Sequence, residues 1–165
     1  MKFRISRFLT GCTLLWVSIG LQASEQAAGK TILAVGKVTA QNEAGENRKL
    51  RRRSPIFEVD SVITHENSRA QFSMADGGLI TLNEDSELHI IDYQPQSDGE
   101  KGSATLDLVR GGLRSISGQI KQMGGDYKVN TPVGTIGIRG THFQVELVGG
   151  DVLFAVWDGD IDVDL

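Results

Sequence analysis

Three stretches of the chain carry charged side chains at spacings that bear on chemistry. Asp158, Asp160 and Asp162 repeat every second residue, as the first ligands of an EF-hand calcium loop do. Val163 stands where that loop needs a glycine, and no glutamate follows to close it. Alternation puts Ile161, Val163 and Leu165 on the other side, so a solvated strand face accounts for the aspartates better than a metal does. Arg48, Lys49, Arg51, Arg52 and Arg53 crowd around Leu50. They form either an electrostatic patch for an acidic partner, anionic headgroup or carboxylate ligand, or a solvated loop ahead of Ser54-Pro55. A single run without a second cluster favours the loop. Arg139 lies between Gly137 and Gly140. Its guanidinium suits bidentate anion binding, but pairing with a carboxylate at the core edge or capping turn carbonyls serves as well. The flanking glycines favour the structural role, with the arginine buried against backbone.

Nothing in the chain assembles a reaction centre. His65, His89 and His142 are isolated, with no acid at metal-ligand spacing, so no metal is expected. The run from Gly134 to Gly140 is glycine-rich but is followed neither by a helix nor by Gly-Lys-Ser/Thr, and so offers no helix-terminal amides to phosphate. Asp76-Gly77 and Asp158-Gly159 read as turn dipeptides. No nucleophile has a base, and no carboxylates pair. The expectation is a protein without catalysis and without a cofactor.

The N-terminus restricts the compartment. Lys2, Arg4 and Arg7 precede an apolar run over 8–21, and Leu21-Gln22-Ala23 or the next residue offers a small-residue cleavage point. Residues 1–23 therefore read as a secretory signal peptide, too short in its apolar part to span a bilayer, and the mature chain is expected in the periplasm or otherwise exported, with no transmembrane anchor. Leu9-Thr10-Gly11-Cys12 resembles a lipoprotein box, but too few apolar residues separate Arg7 from Cys12 for cleavage there. Cleavage near Ala23 removes Cys12, the one cysteine, and with it disulfide, thiolate and cysteine-metal chemistry. It also removes Lys2, Arg4 and Arg7, leaving 14 basic against 21 acidic residues and a net charge of −7 in place of −4. So acidic a domain is a poor nucleic-acid binder.

The elements that position these residues are strands. About 140 residues remain, enough for one domain with one core. Segments 31–41, 69–74, 78–82, 86–92, 104–109, 127–131, 141–148 and 152–157 are short, β-branched or aromatic, and bounded by turn residues. No window carries a helical stripe. Residues 24–30 read as an unstructured start, 94–102 as the longest loop and 41–47 as the next. Glycine pairs at 77–78, 111–112, 124–125 and 149–150 recur without a fixed period, which suits a loose solenoid-like winding. The expected fold is all-β, a twisted two-sheet or solenoid-like single domain of many short strands.

One stretch is more specific. Thr131-Pro132 forces an extended entry, Gly134, Gly137 and Gly140 permit backbone angles closed to other residues, and Thr141, Phe143, Val145 and Leu147 then alternate with His142, Gln144 and Glu146. A Thr-Pro, a short apolar run, Arg139-Gly140-Thr141 and an alternating strand resemble the signature of the FecR protein domain. Upstream, Ser61-Val62-Ile63-Thr64, Ser68-Arg69-Ala70-Gln71-Phe72, Asp76-Gly77-Gly78-Leu79-Ile80-Thr81-Leu82 and Ser86-Glu87-Leu88 follow that family's order. The segment Arg110-Gly111-Gly112-Leu113-Arg114-Ser115-Ile116-Ser117-Gly118 and then Tyr127-Lys128-Val129-Asn130 continue it. The organisation is read as a signal peptide over 1–23, a flexible start and first strand over 24–34, and a FecR-like β domain over 35–165. The chain stops inside a last alternating strand where the family commonly runs on, so the domain is either a short version or incomplete at its C-terminus.

The resemblance implies an all-β extracytoplasmic domain. It makes Thr131, Pro132, Gly137, Arg139, Gly140 and Thr141 fold-defining residues and a candidate binding motif. The family's namesake relays the state of an outer-membrane iron-siderophore transporter across the inner membrane to a sigma factor. This chain matches only the extracytoplasmic part of that relay. The expectation is therefore a non-enzymatic binding module in envelope signalling or sensing, which engages an envelope protein or small ligand. The alternative is a structural or adhesive component of the cell envelope.

Overall fold

Period-two alternation decides which faces meet. In Arg69–Met74 the side chains of Ala70, Phe72 and Met74 are buried while Arg69, Gln71 and Ser73 face outward. The same separation in strand after strand gives two sheets that share one apolar core. The computed structural model describes residues 26–97, 100–140 and 142–164; the expected signal peptide, Cys12 and Thr141 lie outside them.

The chain forms β1 (Ala27–Val35), β2 (Val38–Gln41), β3 (Asn47–Lys49), β4 (Pro55–Phe57), β5 (Ser61–Thr64), β6 (Arg69–Met74), β7 (Leu79–Leu82) and β8 (Glu87–Gln94). It continues through β9 (Ser103–Arg110), β10 (Gly112–Ile116), a single helical turn α1 (Gln119–Gln122), β11 (Asp126–Thr131), β12 (Gly134–Ile138), β13 (His142–Val148), β14 (Asp151–Asp158) and β15 (Ile161–Asp164). Sheet A runs in the order β14-β13-β10-β7-β6-β1-β4, and sheet B in the order β15-β12-β11-β9-β8-β5-β2-β3. The chain passes from sheet to sheet after every one or two strands, so two-sheet and solenoid-like descriptions are both apt. Strands β9 and β11 pair in parallel, because β10 and α1 carry the chain to sheet A and back between them.

Several local expectations change. The segment over 31–41 divides at Gly36, whose φ of 73° turns the chain out of sheet A, as β1, and into sheet B, as β2. The supposed unstructured start is strand from Ala27 onward, because Ala28 is buried and β1 lies between β4 and β6. Strands β3, β4, β5, β10 and β12 join the expected set; β3, β4 and β5 have only three or four residues, and the glycines of β10 and β12 interrupt any alternation there. The turn α1 buries Ile120 and closes the loop between β10 and β11.

A polar node ties the layers together. Asp76 is buried, and its Oδ1 accepts from the Tyr93 hydroxyl at 2.7 Å and from the Gly78 amide at 2.9 Å. Its Oδ2 accepts from the Ile120 amide at 3.4 Å and its carbonyl from the Gln119 amide at 3.0 Å. Thus one carboxylate joins the β6–β7 turn, β8 and α1. Burial pushes the Tyr93 hydroxyl far above the usual tyrosine range, with Tyr127 and the Asp76 charge adding to it. Burial raises Tyr127 as well; its contact with Ser115 pulls the other way and Asp76 adds again.

Candidate binding surface

The family-like motif forms a corner where the chain crosses from sheet B to sheet A. Thr131 pairs with Gly134, and the Thr131 hydroxyl donates to the Gly134 carbonyl at 2.8 Å, which leaves Pro132 and Val133 exposed at a tight hairpin. Gly137 lies inside β12, between Lys128 of β11 and Asp162 of β15. None of Gly134, Gly137 and Gly140 has a positive φ, so the expected special backbone angles are absent. Gly140 is needed for another reason. A Cβ built on it would stand 2.4 Å from the Cα of Gly159, and one on Gly159 would stand 2.0 Å from the Cα of Gly140. Two backbones touch there without room for a methyl group.

Arg139 is not buried against backbone; its side chain is 68% exposed and pairs with Asp162 across the sheet edge. Its structural role is thus a surface ion pair, and its amide adds a bond to the Asp160 carbonyl at 2.8 Å. The pair borders an open cleft of about 480 Å³ lined by Lys121, Asp126, Lys128, Gly137 and Arg139. Acids and bases alternate around it, which leaves no strong field for an ion of either sign. Among the described residues no group of three or more His, Cys, Asp or Glu side chains stands close enough to hold a metal.

The basic run has separate parts rather than forming a loop. Arg48 belongs to β3, and its Nη1 donates to Asp60 Oδ1 at 2.8 Å while Nη2 meets Oδ2. Asp60 is buried and also accepts from the Phe57 amide at 2.7 Å, and the Arg48 guanidinium lies 5.2 Å from the Phe57 ring centroid. Arg48 is therefore a structural partner. Leu50 is in the core. Lys49, Arg51, Arg52 and Arg53 remain in solvent, the last three on the arch between β3 and β4.

Two of the three histidines, His89 and His142, have side-chain partners. His89 Nε2 lies 3.1 Å from Glu87, which Arg110 also bonds. Burial alone would raise the Glu87 carboxyl, but these hydrogen bonds and charges outweigh it and hold it below its ordinary value.

His142 leads to the feature that local sequence patterns missed. The pairing of β13 with β14 slips between His142 and Phe143, which makes Trp157 the extra residue of a β-bulge. His142 stacks on the indole at 4.7 Å and 28°, and the Arg114 guanidinium lies 4.8 Å from the same side chain. Arg114 Nε and Nη2 reach His142 Nε2 at 2.9 and 2.7 Å. Groups bonded to each other cannot lie on opposite faces of one ring, so Arg114 and His142 form a single layer on one indole face. The other face is open, with Trp157 54% exposed. Beside it on the outer face of sheet A, a groove of about 220 Å³ is lined by Arg69, Gln71, Leu79, Thr81, Arg114 and Ile116. The available signal was an aromatic residue near the end of an alternating strand, but its histidine and arginine partners come from β13 and β10.

No curated protein matches the chain. A solved cell surface anchoring domain is similar at 29% identity over 38% of this chain and 82% of its own, with a TM-score of 0.37. Residues 60–162 match the FecR protein family, from the buried Asp60 through the Arg139-Gly140 corner to the Asp162 that pairs with it. With most of its length inside that match, the chain belongs to the FecR family.

Proposed function

We propose that this protein is a non-catalytic, exported binding module of the cell envelope, and that it holds an envelope protein against the outer face of sheet A. Family membership supports the envelope association. The observation that carries the binding reading is the Trp157 platform: an indole already fixed on one face by Arg114 and His142, open on the other, beside a groove lined with polar side chains. Tryptophan supplies a large contact area at little cost in lost side-chain freedom, and tryptophan and arginine are enriched among the residues that dominate the energetics of protein interfaces.

A photocrosslinking residue placed at Leu153, exposed on the same strand, tests this in intact envelopes. One defined envelope protein is expected in the crosslinked band, and Trp157→Ala is expected to remove it. The reading fails if no band forms or if Trp157→Ala leaves it unchanged. Turnover of an envelope substrate by the purified protein would overturn the non-catalytic part. A small ligand in place of a protein would instead appear as saturable quenching of Trp157 fluorescence without any crosslinked protein. The second reading, an assembly unit of the envelope, is favoured by the exposed apolar residues of β14 and β15.

A further inference from the structure

Charge is shared unevenly along the chain and, once folded, across the molecule. Residues 26–53 carry seven basic and two acidic side chains, whereas residues 54–165 carry seven basic and eighteen acidic ones. The first stretch supplies β1, β2 and β3. Together with β4 these strands make one end of the sandwich, β1 and β4 in sheet A and β2 and β3 in sheet B. An acidic protein thus has one basic end.

The cations gather around the arch over 50–54. Arg48 is occupied by Asp60, but Lys30, Lys37, Lys49, Arg51, Arg52 and Arg53 are exposed, and none makes an ion pair among the described residues. Strand register brings Lys37 to the group: Thr39 pairs with Lys49 and the Leu50 amide donates to the Val38 carbonyl at 2.9 Å, so Lys37 is next in line with Arg51. Lys30 pairs with Pro55 at the other foot of the arch. The two acids, Glu43 and Glu46, belong to the β2–β3 hairpin, at the opposite end of β3.

The arch is a fixed mount. The Arg51 amide donates to Ser54 Oγ at 2.9 Å and the Arg53 amide to the Thr31 carbonyl at 2.8 Å, while Leu50 and Ile56 anchor both feet in the core. Arg53 holds a φ of 74°, a left-handed conformation that glycine or asparagine adopts with less strain. The strained position carries a further cation instead. Strand β4 stops opposite Lys30, so past the arch β1 has no strand on that side, and Leu33 and Val35 are 43% and 50% exposed there.

We infer that this end binds the anionic headgroups of a phospholipid surface and holds the molecule edge-on to it, with the acidic remainder turned away. Arg51, Arg52 and Arg53 are consecutive residues of a turn, whose side chains diverge and so do not converge on one small anion. A surface of many phosphates meets all of them, each cation near it strengthening binding about fivefold. The aliphatic side chains beside them suit the apolar layer beneath headgroups, whereas the rim of a contact with an acidic protein is polar.

Cosedimentation of the mature protein with vesicles tests this. Binding is expected to vesicles of phosphatidylcholine and phosphatidylglycerol in equal parts and not to phosphatidylcholine alone, and it should vanish near 1 M salt, where the Debye length is about 3 Å. R51Q/R52Q alters two exposed side chains and is expected to weaken binding about 25-fold. K101Q/K128Q removes the same charge from exposed positions of the acidic part and should leave binding nearly unchanged; circular dichroism verifies both folds. Failure to bind the mixed vesicles, or an equal loss in the two double variants, would overturn the inference. Displacement by inorganic phosphate at matched ionic strength would also overturn it, by revealing a discrete anion site. So would a photocrosslinking residue at Leu33 that captures a defined acidic protein in intact envelopes and no lipid. None of these readouts involves Trp157, so failure of the crosslinking at Leu153 leaves this inference standing.

Discussion

Asp76 holds together parts of the chain that no local pattern connects. Tyr93 is 17 residues away and Ile120 is 44, so Asp76-Gly77 reads in sequence as an ordinary turn. Tyr93→Phe removes a hydroxyl that donates to a buried carboxylate, and a loss of about 1.5–3 kcal/mol is expected in urea unfolding. The two tyrosines of the chain, Tyr93 and Tyr127, also give an alkaline signature. Both hydroxyls ionise at higher pH in the folded state than in the unfolded state, so the unfolded state releases its protons first. Their contribution is complete below the ordinary tyrosine value of about 10 and declines as pH rises above it. Tyrosinate absorbance near neutral-to-alkaline pH should therefore stay flat while the protein is folded and appear together with loss of the β circular dichroism signal. Absorbance that rises in the folded protein would contradict the buried network. Arg139 shows the opposite limit of sequence reading: its special position was legible, but its exposure was not, since flanking glycines report on backbone proximity and not on where a long side chain goes.

At the scale of elements, the longer strands were legible because five or more alternating residues are enough to show a period of two. The short strands were not, since three residues such as Pro55–Phe57 carry no period and owe their strand geometry to β1 alongside. The contact of Gly140 with Gly159 was hidden too, because it joins two crossovers between the sheets, β12 to β13 and β14 to β15, that only the strand pairing brings together. It separates two glycine substitutions that look alike in sequence. Gly140→Ala drives a methyl group into backbone and is expected to cost about 1–3 kcal/mol. Gly137→Ala meets only the Asp162 side chain at 3.7 Å and its carbonyl at 3.8 Å, and should leave the melting temperature nearly unchanged. Comparable melting temperatures for the two variants would refute the close contact. Arg139→Ala, which removes an exposed ion pair, is expected to cost less than about 1 kcal/mol in the same measurement.

Across the whole molecule, the polarity of the sandwich could not be read from the chain, because Arg51 and Asp160 become opposite ends only once the strand order is known. The leader expected over residues 1–23 is testable directly: protein recovered from envelopes should begin at Ser24 or Glu25, and an N-terminus at Met1 would contradict export by cleavage. Apart from the exchanged places of β1 with β4 and of β2 with β3, both sheets add strands in the order in which the chain presents them. Most strand partners lie two or more strands apart along the chain, but each strand from β5 onward finds a partner that precedes it. A chain that emerges N-terminus first from a ribosome or a translocation pore can lay down each strand on the ones already in place, without waiting for its last residues. The sandwich grows from the β3–β4 arch toward β15, so Phe154 and Val163 are laid onto a core that Leu50 and Ile56 have already closed at its other end.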